Sequence, residues 1–186
     1  MRFFQAIISH NLLPCFLVII TMSKIHQLKS VQRIPASIEE IWTFFSDAHN
    51  LSVITPSSIR FQITRDVFGE EVYAGQVITY TVRPLFGIPL SWMTEITHVD
   101  KHKFFADDQR KGPYSLWHHQ HHFKPIEGGV EMTDLVHYGL PFGWLGGLAN
   151  GLVVRKKLEE IFTYRYEKIV EHFGGWPGAS LQLEIN

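Results

Sequence analysis

After residue 25 the chain alternates apolar and polar positions with a period of two, and those runs predict seven strands. They fall at 25–34, 59–67, 76–82 and 90–99, in two strands joined at Gly112-Pro113 within 105–123, and at 130–138. Helical spacing appears twice. Ser37 with Glu40 three residues on has the capping-box spacing, and Ile38, Ile41, Trp42, Phe44 and Phe45 form the apolar stripe of a short helix. A second short helix or turn follows over 47–55. The longer stripe runs from Gly143 to Phe173 through Leu145, Leu148, Leu152, Leu158, Ile161, Phe162 and Ile169, and Gly174-Gly175 stops it. No helix interrupts the strands after Pro56, so the pattern predicts an α+β fold with one seven-stranded antiparallel sheet and a long C-terminal helix. Residues 175–186 read as a loosely held tail, because Pro177-Gly178 interrupts regular structure.

The first 22 residues differ from the rest. Leu12 to Ile20 is almost wholly apolar, but Pro14 interrupts it and it falls well short of the ~20 residues a spanning helix needs. The expectation is a domain over 23–174, with 1–22 either an artefact of start-site choice upstream of Met22, a signal peptide or a retained anchor. A start at Met22 implies a cytoplasmic protein. Genuine residues 1–22 imply secretion or membrane association, although stable membrane insertion of the domain itself is not expected.

The strand phases select a patterned surface. Trp92 and Thr94 share a face, as do Phe105, Asp107 and Gln109, then Trp117, His119, His121 and Phe123, and finally Met132, Asp134, Val136 and Tyr138. Aromatics bracketing carboxylates, an amide and imidazoles suit neither a plain core nor a plain solvent face, and read as the wall of a pocket. The apolar loop 84–89 would suit its rim.

Composition narrows the function further. The 186 residues, 45% hydrophobic, suffice for one domain with a sizeable core, and a formal net charge of -1 offers no basic field for nucleic acid. The single cysteine, Cys15, cannot form an internal disulfide. Of the 11 histidines, eight lie between His98 and His172. The glycines of 143–151 lack the lysine of a phosphate loop, and the sequence implies no cofactor.

The runs GIPLSW (Gly87 to Trp92), DDQRKGPYSLWHHQHHF (Asp107 to Phe123) and DLVHYGLPFGWLGGLANGL (Asp134 to Leu152) resemble bacterial ligand-binding proteins often labelled cell division inhibitor. These belong to the START-like (SRPBCC) superfamily, with its helix-grip or Bet v 1-like fold, alongside coenzyme Q-binding proteins and polyketide cyclases. The resemblance implies a curved sheet wrapped on the C-terminal helix, with two short helices after the first strand and a cavity for a small hydrophobic molecule. With the strand phases it nominates Trp92, Thr94, Asp107, Gln109, Trp117, His119, His121, Asp134 and Tyr138 as ligand-binding.

Three functions are compatible with these residues. The first is non-catalytic binding of a small, largely hydrophobic molecule with a polar group. The second is a cyclase or dehydratase in which Asp107 and His119 act as an acid/base pair. The third is an adaptor for a protein partner, contacting it through the 86–89 rim and Trp144. His119 and His121, with Asp107 or Asp134, also have metal-ligand spacing. The simpler reading is a hydrogen-bonded polar cluster without metal. Trp42, Phe44, Phe45 and Trp92 are explained by periodicity as core.

Overall fold

The computed structural model describes residues 24–64, 71–83, 87–141 and 153–186. The expectations for 1–22, for Pro84 to Phe86 and for the helix start with Trp144, Leu145, Leu148 and Leu152 lie outside the described residues.

The period-two runs form β1 (Ile25–Ile34), β2 (Gln62–Ile63), β3 (Val77–Val82), β4 (Leu90–Asp100), β5 (Phe104–Lys111), β6 (Leu116–Ile126) and β7 (Gly129–Gly139). Among the described residues the sheet has eight strands, not seven. Residues expected to form a loose tail supply β8 (Gln182–Ile185), which pairs antiparallel with β1, Leu28 opposite Ile185. The chain resumes alternation after Pro177-Gly178, and Ile185 is buried beside Leu28 and Val136. All pairings are antiparallel, in the order β2-β3-β4-β5-β6-β7-β1-β8. β2 starts later than its alternation suggests because Ser57–Ile59 closes a 3-10 turn and Arg60 turns left-handed at φ 48°.

The capping box at Ser37 is formed: its Oγ accepts from Glu40 N at 3.2 Å, and the Glu40 carboxylate accepts from Ser37 N at 2.9 Å. It starts α1 (Ile38–Ser46), followed by a 3-10 helix over Ala48–Ser52. The long helix α2 (Arg155–Phe173) buries Leu158, Phe162, Arg165 and Ile169, one stripe at spacings of four, three and four residues. Gly174, at φ 94°, closes it by donating N–H to Val170 O at 2.9 Å. Gly128, at φ 85°, makes the two-residue β6–β7 turn.

Two apolar clusters form the interior. Trp42, Phe45, Phe105, Phe123, Met132 and Ile169 belong to the one beneath α1. The other contains Leu28, Val136, Tyr138, Leu158, Phe162 and Ile185. Between them each contributing element places a polar residue. Asp134 lies between Met132 and Val136 on β7, His119 and His121 between Trp117 and Phe123 on β6, and Asp107 beyond Phe105 on β5. On α2, Arg165 lies between Phe162 and Ile169. A polar level therefore crosses the interior between two apolar ones. No helix among the described residues is long and apolar enough to cross a membrane.

Candidate functional site

Strand register brings the polar residues together. β5 and β6 pair Asp107 with His119, and β6 and β7 pair His121 with Asp134. Because β6 has period two, His119 and His121 share its inner face, with ring centroids 3.9 Å apart. His118 and His122 turn to the other face, where His118 Nδ1 meets Asp108 Oδ1 at 2.6 Å and Gln120 links the two rings.

The inner cluster is organised by one carboxylate oxygen. Asp134 Oδ1 accepts from His119 Nε2 at 2.9 Å and from the Arg165 guanidinium at 3.4 Å. His121 Nδ1 is 2.8 Å from the same oxygen but off the line of a good hydrogen bond. On the opposite side of the two rings, Asp107 Oδ2 lies 3.7 Å from His119 Nδ1 and 3.5 Å from His121 Nε2. All five residues are buried.

Burial alone would force the Asp134 carboxyl up. The His119 hydrogen bond, the close His121 imidazole and the Arg165 charge outweigh it and hold the group well below the usual carboxylate range. For His119, burial dominates and, with His121 beside it, lowers the imidazole to about 4 against the pull of Asp134, so it is neutral at pH 7. Burial also opposes charge on His121, but its contacts with Asp107 and Asp134 prevail and raise its pKa. Two histidines two residues apart thus have opposite tendencies.

The cluster forms part of the wall of a cavity of about 200 Å³ between sheet and α2. Of the nominated residues, Trp92, Thr94, Asp107, Trp117, His119 and His121 line it. The others are placed differently. Gln109 is spent on the β5–β6 connection, where Nε2 donates to Tyr114 O at 2.8 Å and Oε1 accepts from Tyr114 N at 3.3 Å. Asp134 lies behind the imidazoles, and Tyr138 is fully buried with its ring stacked on His26 at 5.3 Å. Phe44 and Phe45, expected as core, and Trp92 have apolar partners and also face the cavity, whereas Trp42 is packed edge-on to Phe105 and Phe123.

Sequence reasoning missed Arg165 and Tyr80. Arg165 interrupts an otherwise apolar helical stripe, which was the available signal. Tyr80 stacks on Trp92 at 5.8 Å, and its hydroxyl meets Thr94 Oγ1 at 3.1 Å, as does Trp92 Nε1. Burial pushes the Tyr80 phenol far up, so it remains a neutral hydrogen-bonding group. Of the anticipated rim, Gly87 to Pro89 are described, and Ile88 is exposed.

Solved structures share this architecture. One from Thermus thermophilus superposes with a TM-score of 0.62 at 17% identity, covering 79% of this chain and 96% of that one. The ginseng major latex-like protein 151 from Panax ginseng gives 0.58 at 14%, covering 80% and 97%. A protein from Chromobacterium violaceum gives 0.61 at 10%, covering 81% and 98%. The fold is the START-like helix-grip fold. At these identities the likeness establishes architecture alone. No protein-family model matches the chain, and no curated protein matches it in sequence.

Proposed function

We propose that this helix-grip domain binds a small, largely hydrophobic molecule carrying at least one polar group, and that it does so without catalysis. The observation that carries this reading is an apolar cavity interrupted at one level by Asp107, His119 and His121 from the sheet and Arg165 from α2. Phe44, Ile78, Ile96, Phe105 and Phe162 supply the apolar lining, and the polar spot would orient the bound molecule. The enclosed volume lies below the roughly 300–1,000 Å³ of drug-sized sites, which favours a small ligand. An acid/base role for His119 is less well supported: its hydrogen bond goes to Asp134, and an imidazole at about 4 is a weak base.

Gently purified protein should show, by native mass spectrometry, a reproducible organic adduct of order a few hundred daltons, which pocket-sized ligands weigh. Adding the apolar probe 1-anilinonaphthalene-8-sulfonate to protein freed of adduct should quench Trp92 and Trp117 with a stoichiometry of one. No adduct and no saturable probe binding would refute the proposal.

A further inference from the structure

We propose that Asp107, His119 and His121 form a binding site for a divalent first-row transition-metal ion, with Asp134 as the group that orients both imidazoles. The site shares Asp107, His119 and His121 with the polar spot described above, but the metal ion needs no organic ligand to bind.

Tautomer and register carry it. An ionised carboxylate only accepts, so the hydrogen between His119 and Asp134 sits on His119 Nε2, 2.9 Å from Oδ1. A small rotation of the His121 ring brings Nδ1, already 2.8 Å from that oxygen, into line as a second donor. With both rings neutral, each then turns its bare nitrogen away from Asp134. Those nitrogens, His119 Nδ1 and His121 Nε2, are the atoms facing Asp107 Oδ2 at 3.7 and 3.5 Å. Two imidazole lone pairs directed at a carboxylate repel unless a cation lies among them. A proton can serve one nitrogen at a time, whereas a metal ion serves all three donors.

The dimensions agree. The three donor atoms lie within 4.8 Å of one another. Bonds of roughly 2.1 Å to imidazole and carboxylate set donors roughly 3.0–3.5 Å apart around one ion, so the Asp107 contacts at 3.7 and 3.5 Å need a few tenths of an ångström and the two imidazole nitrogens at most roughly 1–2 Å of closure, within reach of side-chain rotation. A carboxylate holding the second nitrogen of each ligating histidine is the arrangement that fixes tautomer and strengthens the ligand. Two nitrogens and one oxygen suit Zn²⁺, Fe²⁺ or Co²⁺ rather than Mg²⁺ or Ca²⁺. All three ligands line the cavity, so the remaining coordination positions are reached from it.

The test is titration of the chelator-stripped full chain with Co²⁺, followed by Zn²⁺. One equivalent of Co²⁺ should bind with visible d–d absorption, and Zn²⁺ should displace it. Asp107→Asn and His121→Ala should each abolish that spectrum, and Asp134→Asn should weaken binding by about 10- to 100-fold. The double variant His118→Ala/His122→Ala, on the opposite sheet face, should bind as the parent does. A second readout needs no variant: Zn²⁺ should shift the ¹⁵N resonances of His119 Nδ1 and His121 Nε2 in the parent chain. The proposal is overturned by the absence of a saturable single equivalent, by its loss in the His118/His122 variant, or by imidazole resonances that Zn²⁺ leaves in place.

Discussion

Asp134→Asn should be strongly destabilising although it exchanges a single heavy atom. The carboxylate is 1% exposed, and His119, His121 and Arg165 all converge on Oδ1 at 2.9, 2.8 and 3.4 Å. Asparagine keeps one oxygen, enough to accept from His119 as a neutral hydrogen bond. It removes the negative charge that offsets Arg165, and breaking a buried ion pair from one side costs about 3–5 kcal/mol. At about 2–4 °C per kcal/mol for a chain of this size, the midpoint should fall by about 6–20 °C. Removing the cation should cost less. Arg165 Nη1 makes a long contact, Nε has no hydrogen-bond partner, and methionine suits the apolar stripe of α2, so Arg165→Met should cost about 1–2 kcal/mol. The decisive quantity is the cycle. In the Asp134→Asn background, Arg165→Met should recover stability, giving a coupling energy of at least ~1 kcal/mol. Urea unfolding followed by tryptophan fluorescence, with chelator present so that metal binding adds nothing, measures all four proteins. A loss below ~1 kcal/mol for Asp134→Asn, or additivity within ~0.5 kcal/mol, would refute the claim that these charges share one desolvated environment.

Other perturbations separate structural from ligand-facing groups. Gln109→Ala should cost about 1–2 kcal/mol, from two hydrogen bonds to Tyr114, yet leave probe affinity unchanged; a large loss of affinity at unchanged stability would return Gln109 to the cavity. Ser37→Ala should cost about 1 kcal/mol by urea unfolding, the usual worth of such a cap, and no loss would mean that tertiary packing alone holds the start of α1. Ile185→Ala should cost about 2 kcal/mol, the low end for a buried isoleucine, because β8 is an edge strand. Deleting 181–186 should also bare the β1 edge and promote self-association, seen as a higher sedimentation coefficient; a monomer of parental stability would exclude a structural role for β8.

Most strands, the capping box and the α2 stop were legible because each is written in local spacing, such as Ser37 with Glu40 or the alternation through Met132, Asp134 and Val136. β8 was less so. Leu181, Leu183 and Ile185 alternate, but four paired residues become a strand only because β1 offers an edge, and that is a tertiary fact. Periodicity also assigns a face without a depth. Gln109 shares the phase of Asp107 but sits beside a turn whose backbone claims it, and Asp134 shares the phase of the cavity wall yet lies behind two imidazoles. Arg165 was hidden in plain spacing, one charge in a stripe otherwise carried by Leu158, Phe162 and Ile169. The tautomers of His119 and His121 are set by which nitrogen meets Asp134, and no spacing rule contains that.

Register and the polar level specify each other. A one-residue slip between β6 and β7 would turn every inward apolar side chain outward, and the hydrophobic pattern forbids it. A slip of two preserves that pattern, so burial alone discriminates against it weakly. In the observed register His121 faces Asp134 and Phe123 faces Met132. Sliding β7 by two in the direction that sets Asp134 opposite Phe123 would strand the carboxylate against an aromatic core and leave His121 opposite Val136. The buried charge that makes Asp134→Asn costly in the native register then penalises this alternative by a comparable amount. Asp134, which holds the imidazoles of the cavity's polar spot from behind, thus also selects among sheet registers the apolar residues would accept. Function and fold specificity are for that reason expected to fail together when Asp134 is lost.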